Sequence, residues 1–137
     1  PFIVNQPGMV PIQTLDNLIY FPDMMPTLAA LAKGTKHLPK QINGINILPL
    51  FYGKQVDTDN RLLYWEFPGK QRAARKGDWK CVTIHPNQPL ELYNLKEDPE
   101  ETNNLAKKYP RRVKEFDEEM QRMHIPTPNW PQPGEQF

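Results

Sequence analysis

The stretch RLLYWEFPGKQRAARKGDWKCVTIHPNQPLELYNL, residues 61–95, decides the fold, because it reads as four short strands in succession. Leu62 to Phe67 is rich in aromatic and branched residues. Pro68-Gly69 ends it, since proline has no N–H to give a ladder and glycine accepts the positive φ of a tight turn. Gln71 to Lys76 returns, and Gly77-Asp78 turns the chain again. Trp79 to Ile84 alternates with a period of two, with Trp79, Cys81 and Thr83 on one face and Lys80, Val82 and Ile84 on the other. His85 to Pro89 makes the next turn and Glu91 to Leu95 the last strand. Connections this short force antiparallel neighbours, because a parallel return needs a crossover of about a dozen residues or more. The expectation is an antiparallel meander with one buried face.

Downstream, Asp98-Pro99-Glu100-Glu101 predicts a helix start, with Asp98 as cap, Pro99 at the first helical position and Glu101 reaching back to the cap amide. Those acidic residues and Lys107-Lys108 at the other end both suit a helix dipole. A further helix is predicted from Pro110, where Val113, Phe116, Met120 and Met123 form one apolar stripe fit to lie across a sheet. Residues 125–137 hold five prolines or glycines among thirteen positions and predict an irregular tail, ordered where Trp130 finds a pocket.

Upstream, Pro1 to Val4 predicts a short apolar strand with nothing nearby in sequence to pair with, as if it belonged to a larger sheet. Asp23 to Lys33 predicts a short amphipathic helix. Asp23 is the expected cap, Pro26 falls in the first turn, and Gly34 takes the left-handed position that ends it. Met24, Leu28 and Leu31 share helical spacing, as do Met25 and Ala32. Pro39 to Gly53 is a connector with a turn at Asn43-Gly44 and one helical turn within the apolar run Ile45 to Phe51.

Composition bounds the function. A length of 137 residues fits one domain, or a small domain with a piece of another attached. The formal charge of +1 argues against nucleic acid or an anionic membrane surface as partner. No apolar run approaches the roughly 18 residues of a membrane span. One cysteine permits no internal disulfide. The chain opens at Pro1 without methionine, so its native amino terminus is expected to lie elsewhere. The 16 prolines exceed the roughly 7 of average usage and serve as turn and helix-start punctuation.

The succession Pro1-Phe2-Ile3-Val4, Pro7-Gly8, Asp23-Met24-Met25-Pro26-Thr27-Leu28, Asn43-Gly44-Ile45-Asn46-Ile47-Leu48-Pro49-Leu50, Tyr64-Trp65-Glu66, Arg75-Lys76-Gly77-Asp78-Trp79-Lys80, Glu91-Leu92-Tyr93-Asn94-Leu95 and Asp98-Pro99-Glu100-Glu101 resembles the carboxy-terminal part of the sulfatases, the arylsulfatase-like hydrolases of the alkaline-phosphatase superfamily. Any one piece is weak, but the pieces recur in order over roughly residues 1–110. The resemblance implies an α+β fold: a four-stranded antiparallel sheet packed by a C-terminal helix, preceded by a strand and helix that belong to a large α/β domain. Residues 1–53 would be the tail end of that domain and a connector, 54–124 the sheet-and-helix subdomain, and 125–137 the irregular tail. The chain would be the last quarter or so of an enzyme.

In such enzymes the nucleophile is a formylglycine made in a Cys/Ser-x-Pro-x-Arg motif, and calcium stabilises charge developing at the sulfate. Cys81 is followed by Val82, Thr83, Ile84 and His85, so the motif is not here. Calcium and formylglycine are expected in the parent enzyme, none in this piece, with the missing N-terminal domain as partner and a sulfated carbohydrate or aryl sulfate as substrate. The resemblance implies a periplasmic, secreted or lysosomal protein.

Among candidate site residues, the turn after the Tyr-Trp-Glu strand is expected to face the cleft of the parent. Glu66, Gln71 and Arg72 could then hydrogen-bond a sulfated sugar, with the arginine suited to an anionic oxygen. Cys81 is expected to be a small buried hydrophobe. His37, His85 and His124 lack zinc-type spacing, and no metal is assigned to them. Lys70, Arg72, Arg75, Lys76 and Lys80 read as a solvated sheet face. The alternative function is a free-standing carbohydrate- or protein-binding module, which predicts a surface with no bare apolar patch, or a dimerising domain, in which the orphan strand would pair with another copy.

Overall fold

The computed structural model describes residues 2–67, 71–85, 88–129, 131 and 134–136. The chain divides into two compact units, residues 1–59 and 60–137.

The first unit is tied together by buried polar side chains. A 3-10 turn, Phe21–Asp23, runs into helix α1, Met24–Leu31. The Asp23 carboxylate does not accept from the first-turn amides of α1, as would be expected of a cap. It is fully buried, and its two oxygens accept the backbone N–H of Tyr20 and that of Ile45, each at 3.0 Å. Thr27 Oγ1 accepts the N–H of Ile47 at 3.0 Å, and Thr58 Oγ1 accepts those of Leu18 at 3.1 Å and, through its side-chain amide, Asn17 at 3.2 Å. Gly44 is obligatory here because a Cβ would stand 1.9 Å from the carbonyl oxygen of Pro22. The connector carries helix α2, Leu48–Phe51, with Pro49 in its first turn rather than breaking it.

Three expectations for this unit are corrected. Residues 2–5 form no strand, since a strand requires a neighbour and none is offered; the Phe2 ring instead lies 6.0 Å from that of Phe51. The left-handed residue after α1 is Lys33, at φ 56°, and Gly34 keeps a negative φ. The apolar stripe of α1 is not buried: Pro26 and Thr27 are, while Met25, Leu28 and Leu31 are each more than half exposed.

The second unit is the meander. Strands β1 (Leu63–Phe67), β2 (Gln71–Lys76), β3 (Trp79–Thr83) and β4 (Glu91–Asn94) form a four-stranded antiparallel sheet in order β1-β2-β3-β4. Gly77 supplies a positive φ of 55° at the β2–β3 turn. Helix α3, Pro110–Met123, begins at proline as predicted. The register sets Ala74 opposite Cys81 and Cys81 opposite Leu92, and these three pack with Phe116 and Met120 of α3 as the core. Val113 and Trp79 flank it half-buried, and Met123 is exposed. Trp79 lies under the Arg112 guanidinium at 4.3 Å and meets the Tyr109 ring edge-on at 5.3 Å.

The helix expected from Asp98 is absent. Its signals serve a turn instead: the Asp98 carboxylate accepts N–H groups from Thr102 at 3.1 Å and Asn103 at 2.8 Å. Glu101 takes a left-handed φ of 57° and, rather than returning to the cap amide, pairs with Lys80 Nζ at 2.5 Å. Just beyond, the loop closes against β4, where Leu92 N–H donates to Asn104 Oδ1 at 3.2 Å and Leu92 C=O accepts from Leu105 N–H at 2.8 Å. The turn at Pro68-Gly69 and the place of Trp130 lie outside the described residues.

Candidate functional site

Alternation along β1 and β2 determines which candidate residues meet. Glu66 pairs with Arg72 across the ladder, and Phe67 with Gln71. Since Tyr64 pairs with Ala74, whose side chain is in the core beneath α3, Glu66 and Arg72 share the helix-facing side with Tyr64. Gln71 stands on the opposite face. Of the three residues grouped in sequence, the structure therefore brings two together and separates the third.

Around that pair is a polar corner. Tyr64 donates its hydroxyl to Glu66 Oε1 in a short hydrogen bond. Arg72 Nη2 lies 3.3 Å from Asp117 Oδ1 on α3, and Gln121 Nε2 donates to the other oxygen of Asp117 at 3.0 Å. His124, immediately after α3, sets Nδ1 2.5 Å from Glu66 Oε1 and Nε2 2.5 Å from Glu135 Oε1 in the tail. His124, Glu66 and Glu135 are each mostly buried at the side chain.

The electrostatics follow from this crowding. Hydrogen bonding to Glu135 and then Glu66 raises the His124 pKa above that of a free imidazole, against the opposing effect of burial. Burial, then the hydrogen bond to Glu66, pushes the Tyr64 phenol up, with Arg72 partly opposing, so it stays neutral and donates. Burial pushes the Cys81 thiol up to about 12, so it remains a thiol and a poor nucleophile. Among the described residues no group of three or more His, Cys, Asp or Glu side chains could hold a metal ion. No described helix is long and apolar enough to cross a membrane.

Asp117 and Glu135 were not among the sequence candidates, and His124 was considered only as a metal ligand and set aside. A signal was present for two of them: Asp117, Gln121 and His124 follow one another at spacings of four and three, a polar stripe beside the apolar one. Nothing local marks Glu135, which meets His124 only through tertiary structure.

A small α+β unit with helix over meander, and a carboxylate–arginine pair where helix and sheet meet, is the class these observations define. Residues 1–125 match the family described as N-sulphoglucosamine sulphohydrolase, C-terminal, and the chain belongs to it. It is 32% identical over 134 residues to an uncharacterized protein of Haemophilus influenzae, with 90% of this chain and 67% of that one covered. It is 31% identical over 124 residues to an uncharacterized sulfatase of Schizosaccharomyces pombe, covering 80% of this chain and 22% of the other. A solved structure described under the metabolism of multiple glycosaminoglycans by Bacteroides thetaiotaomicron is 27% identical, superposes with a TM-score of 0.60, and covers 73% of this chain and 24% of that one. The chain thus spans about two thirds of the first relative and under a quarter of the other two proteins.

Proposed function

We propose that this chain is the carboxy-terminal part of a sulfatase, a sulfuric ester hydrolase whose catalytic formylglycine and calcium ligands lie in the remainder of the parent protein. The observation that carries the reading is the family match over residues 1–125 of a chain that spans only 22% of a sulfatase relative. Two apolar surfaces support it. Met25, Leu28 and Leu31 on α1, and Trp65, Phe67 and Ile84 on the sheet side away from α3, are exposed, as expected of faces that pack on further protein.

In such an enzyme the formylglycine hydrate supplies the nucleophile and the metal ion steadies the sulfate. The part proposed for this chain is binding and orientation. Arg72 has five N–H groups, more than its contacts with Asp117 and Tyr64 use, and the rest suit an anionic oxygen of a sulfated carbohydrate or aryl sulfate. Glu66 accepts from Tyr64, and a carboxylate with further lone pairs can accept a sugar hydroxyl. Gln71, on the opposite face, is left out of this pocket. A periplasmic, secreted or lysosomal location goes with the same reading.

The test is to express the complete gene product, weigh it, and assay a chromogenic aryl sulfate and sulfated oligosaccharides. The expected result is a longer polypeptide with the formylglycine mass change, activity lost on calcium chelation, and no turnover by residues 1–137 alone. In the complete product, Arg72→Ala should raise KM for a sulfated sugar by about tenfold with a smaller effect on kcat. An unchanged KM removes Arg72 from the pocket, and a complete product inert on every sulfate ester removes the enzyme reading. A second reading, a free-standing carbohydrate- or protein-binding or dimerising module, is favoured by the Haemophilus relative, of which this chain spans 67%. A gene encoding only these residues would select it.

A further inference from the structure

We propose that the carboxy-terminal tail is fastened to edge strand β1 by a proton-dependent clasp, in which His124 bridges Glu66 and Glu135. Each ring nitrogen lies 2.5 Å from a carboxylate oxygen, one contributed 58 residues upstream and the other 11 residues downstream. A neutral imidazole has one N–H and one lone pair, so it can donate to only one of two carboxylates. The other contact would then oppose two lone pairs at hydrogen-bonding distance. One additional proton resolves the conflict, because an imidazolium donates from both nitrogens. The count is the same if that proton sits on either carboxyl group. The clasp therefore holds one proton more than a neutral histidine between two carboxylates.

Among the described groups named around the clasp, the histidine is the one that changes charge near neutrality. From β1, Tyr64 donates to Glu66 and stays protonated. Arg72 of β2 and Asp117 of α3 pair with each other, and Gln121 of α3 donates to Asp117. Arg122, in the last turn of α3, is exposed. The three members of the clasp are only 14%, 17% and 21% exposed at the side chain, so water screens them incompletely. The folded-state pKa of His124 is raised. The fastening is therefore fully present below the ordinary imidazole value of about 6.5 and is lost as pH rises through the higher folded value. Glu135 lies beyond the residues 1–125 matched by the family, so the clasp joins a segment outside the family pattern to a strand within it. It holds whether or not the parent hydrolyses sulfate esters.

The test uses the complete gene product labelled with ¹³C-histidine, the His124 resonance being assigned by its loss in His124→Gln. His124 should titrate above about 6.5, and Glu135→Gln should lower its midpoint by about one pH unit. Hydrogen exchange followed by mass spectrometry, corrected for intrinsic rates, should show residues 134–136 at least about threefold more protected near pH 6 than near pH 9. Glu135→Gln should abolish that difference while residues 71–83 stay as protected as before. A His124 midpoint at or below the ordinary value, equal tail protection at both pH values, or a pH-dependent tail that survives Glu135→Gln overturns the proposal.

Discussion

The two units of this chain are built on opposite principles. Residues 60–137 fold around apolar contact, with one face of a four-stranded sheet closed by Phe116 and Met120 of α3. Residues 1–59 are organised by Asp23, Thr27 and Thr58, buried polar side chains that accept backbone N–H groups across intervals of 20 to 40 residues, while α1 leaves Leu28 and Leu31 exposed. A core of the first kind depends on volume and tolerates similar shapes. A lattice of the second kind depends on individual atoms, because a buried amide stripped of its acceptor costs about 1–3 kcal/mol.

The sharpest way to break this contrast is Gly44→Ala. The added methyl would meet the Pro22 carbonyl oxygen at 1.9 Å, and backbone cannot yield as a side chain can. Exchange protection at Tyr20 and Ile45, the amides held by Asp23, should collapse; a variant with wild-type protection there would show that the segment 43–45 does not need its close approach. Met120→Ala should come next, costing about 2–5 kcal/mol as a fully buried side chain leaves a cavity, read by denaturant unfolding of the sheet-and-helix residues. Met120→Leu, which keeps the volume, should cost below about 1.5 kcal/mol; equal losses from the two would mean that the second unit also depends on atomic detail. Trp79→Ala should cost about 2 kcal/mol, less than the roughly 3–5 of a fully buried ring, because its indole is only half-buried beneath Arg112 and beside Tyr109.

The smallest effect concerns Asp98. Backbone N–H groups of Asn103 and Thr102 hold its carboxyl below the usual value near 3.8. A depressed folded pKa means that its contribution is present above the unfolded value and disappears as pH falls through the folded one. Asp98→Asn should therefore loosen the 95–105 loop modestly at neutrality, where one amide oxygen cannot replace two accepting carboxylate oxygens, and flatten the loop's loss of protection in acid. An unaltered acid transition would remove the carboxylate from that role.

The meander was legible because its punctuation is local. Gly77 needs its positive φ, and the alternation Trp79, Cys81, Thr83 against Lys80, Val82, Ile84 fixes which side is buried. Helix α3 was equally plain, with Pro110 at its start and one apolar stripe. Asp98-Pro99 misled because a short acidic side chain before proline suits an Asx turn as well as a helix cap, and Thr102 and Asn103 offered the amides that decided it. Asp23 does stand at the N-cap position of α1, but its carboxylate caps nothing there, and the Ile45 amide it accepts lies 22 residues away and left no local trace. In the polar corner, Glu66, Gln71 and Arg72 were grouped only as neighbours of one turn, and it is the register that pairs Glu66 with Arg72 and sets Gln71 on the opposite face. The partnership of His124 with Glu66 and Glu135 was out of reach, because it joins a strand, a helix end and a tail that no sequence period connects.

The loop that follows β4 has a consequence for how this sheet can behave in company. Leu92 sits in the outermost strand, and its outward N–H and C=O are already engaged by Asn104 and Leu105. A strand from another molecule approaching that margin would find those docking points taken and would have to displace a loop to gain them. Many sheets protect a margin with charge or proline; here the guard is a piece of the same chain, folded back to occupy the place an intruder would take.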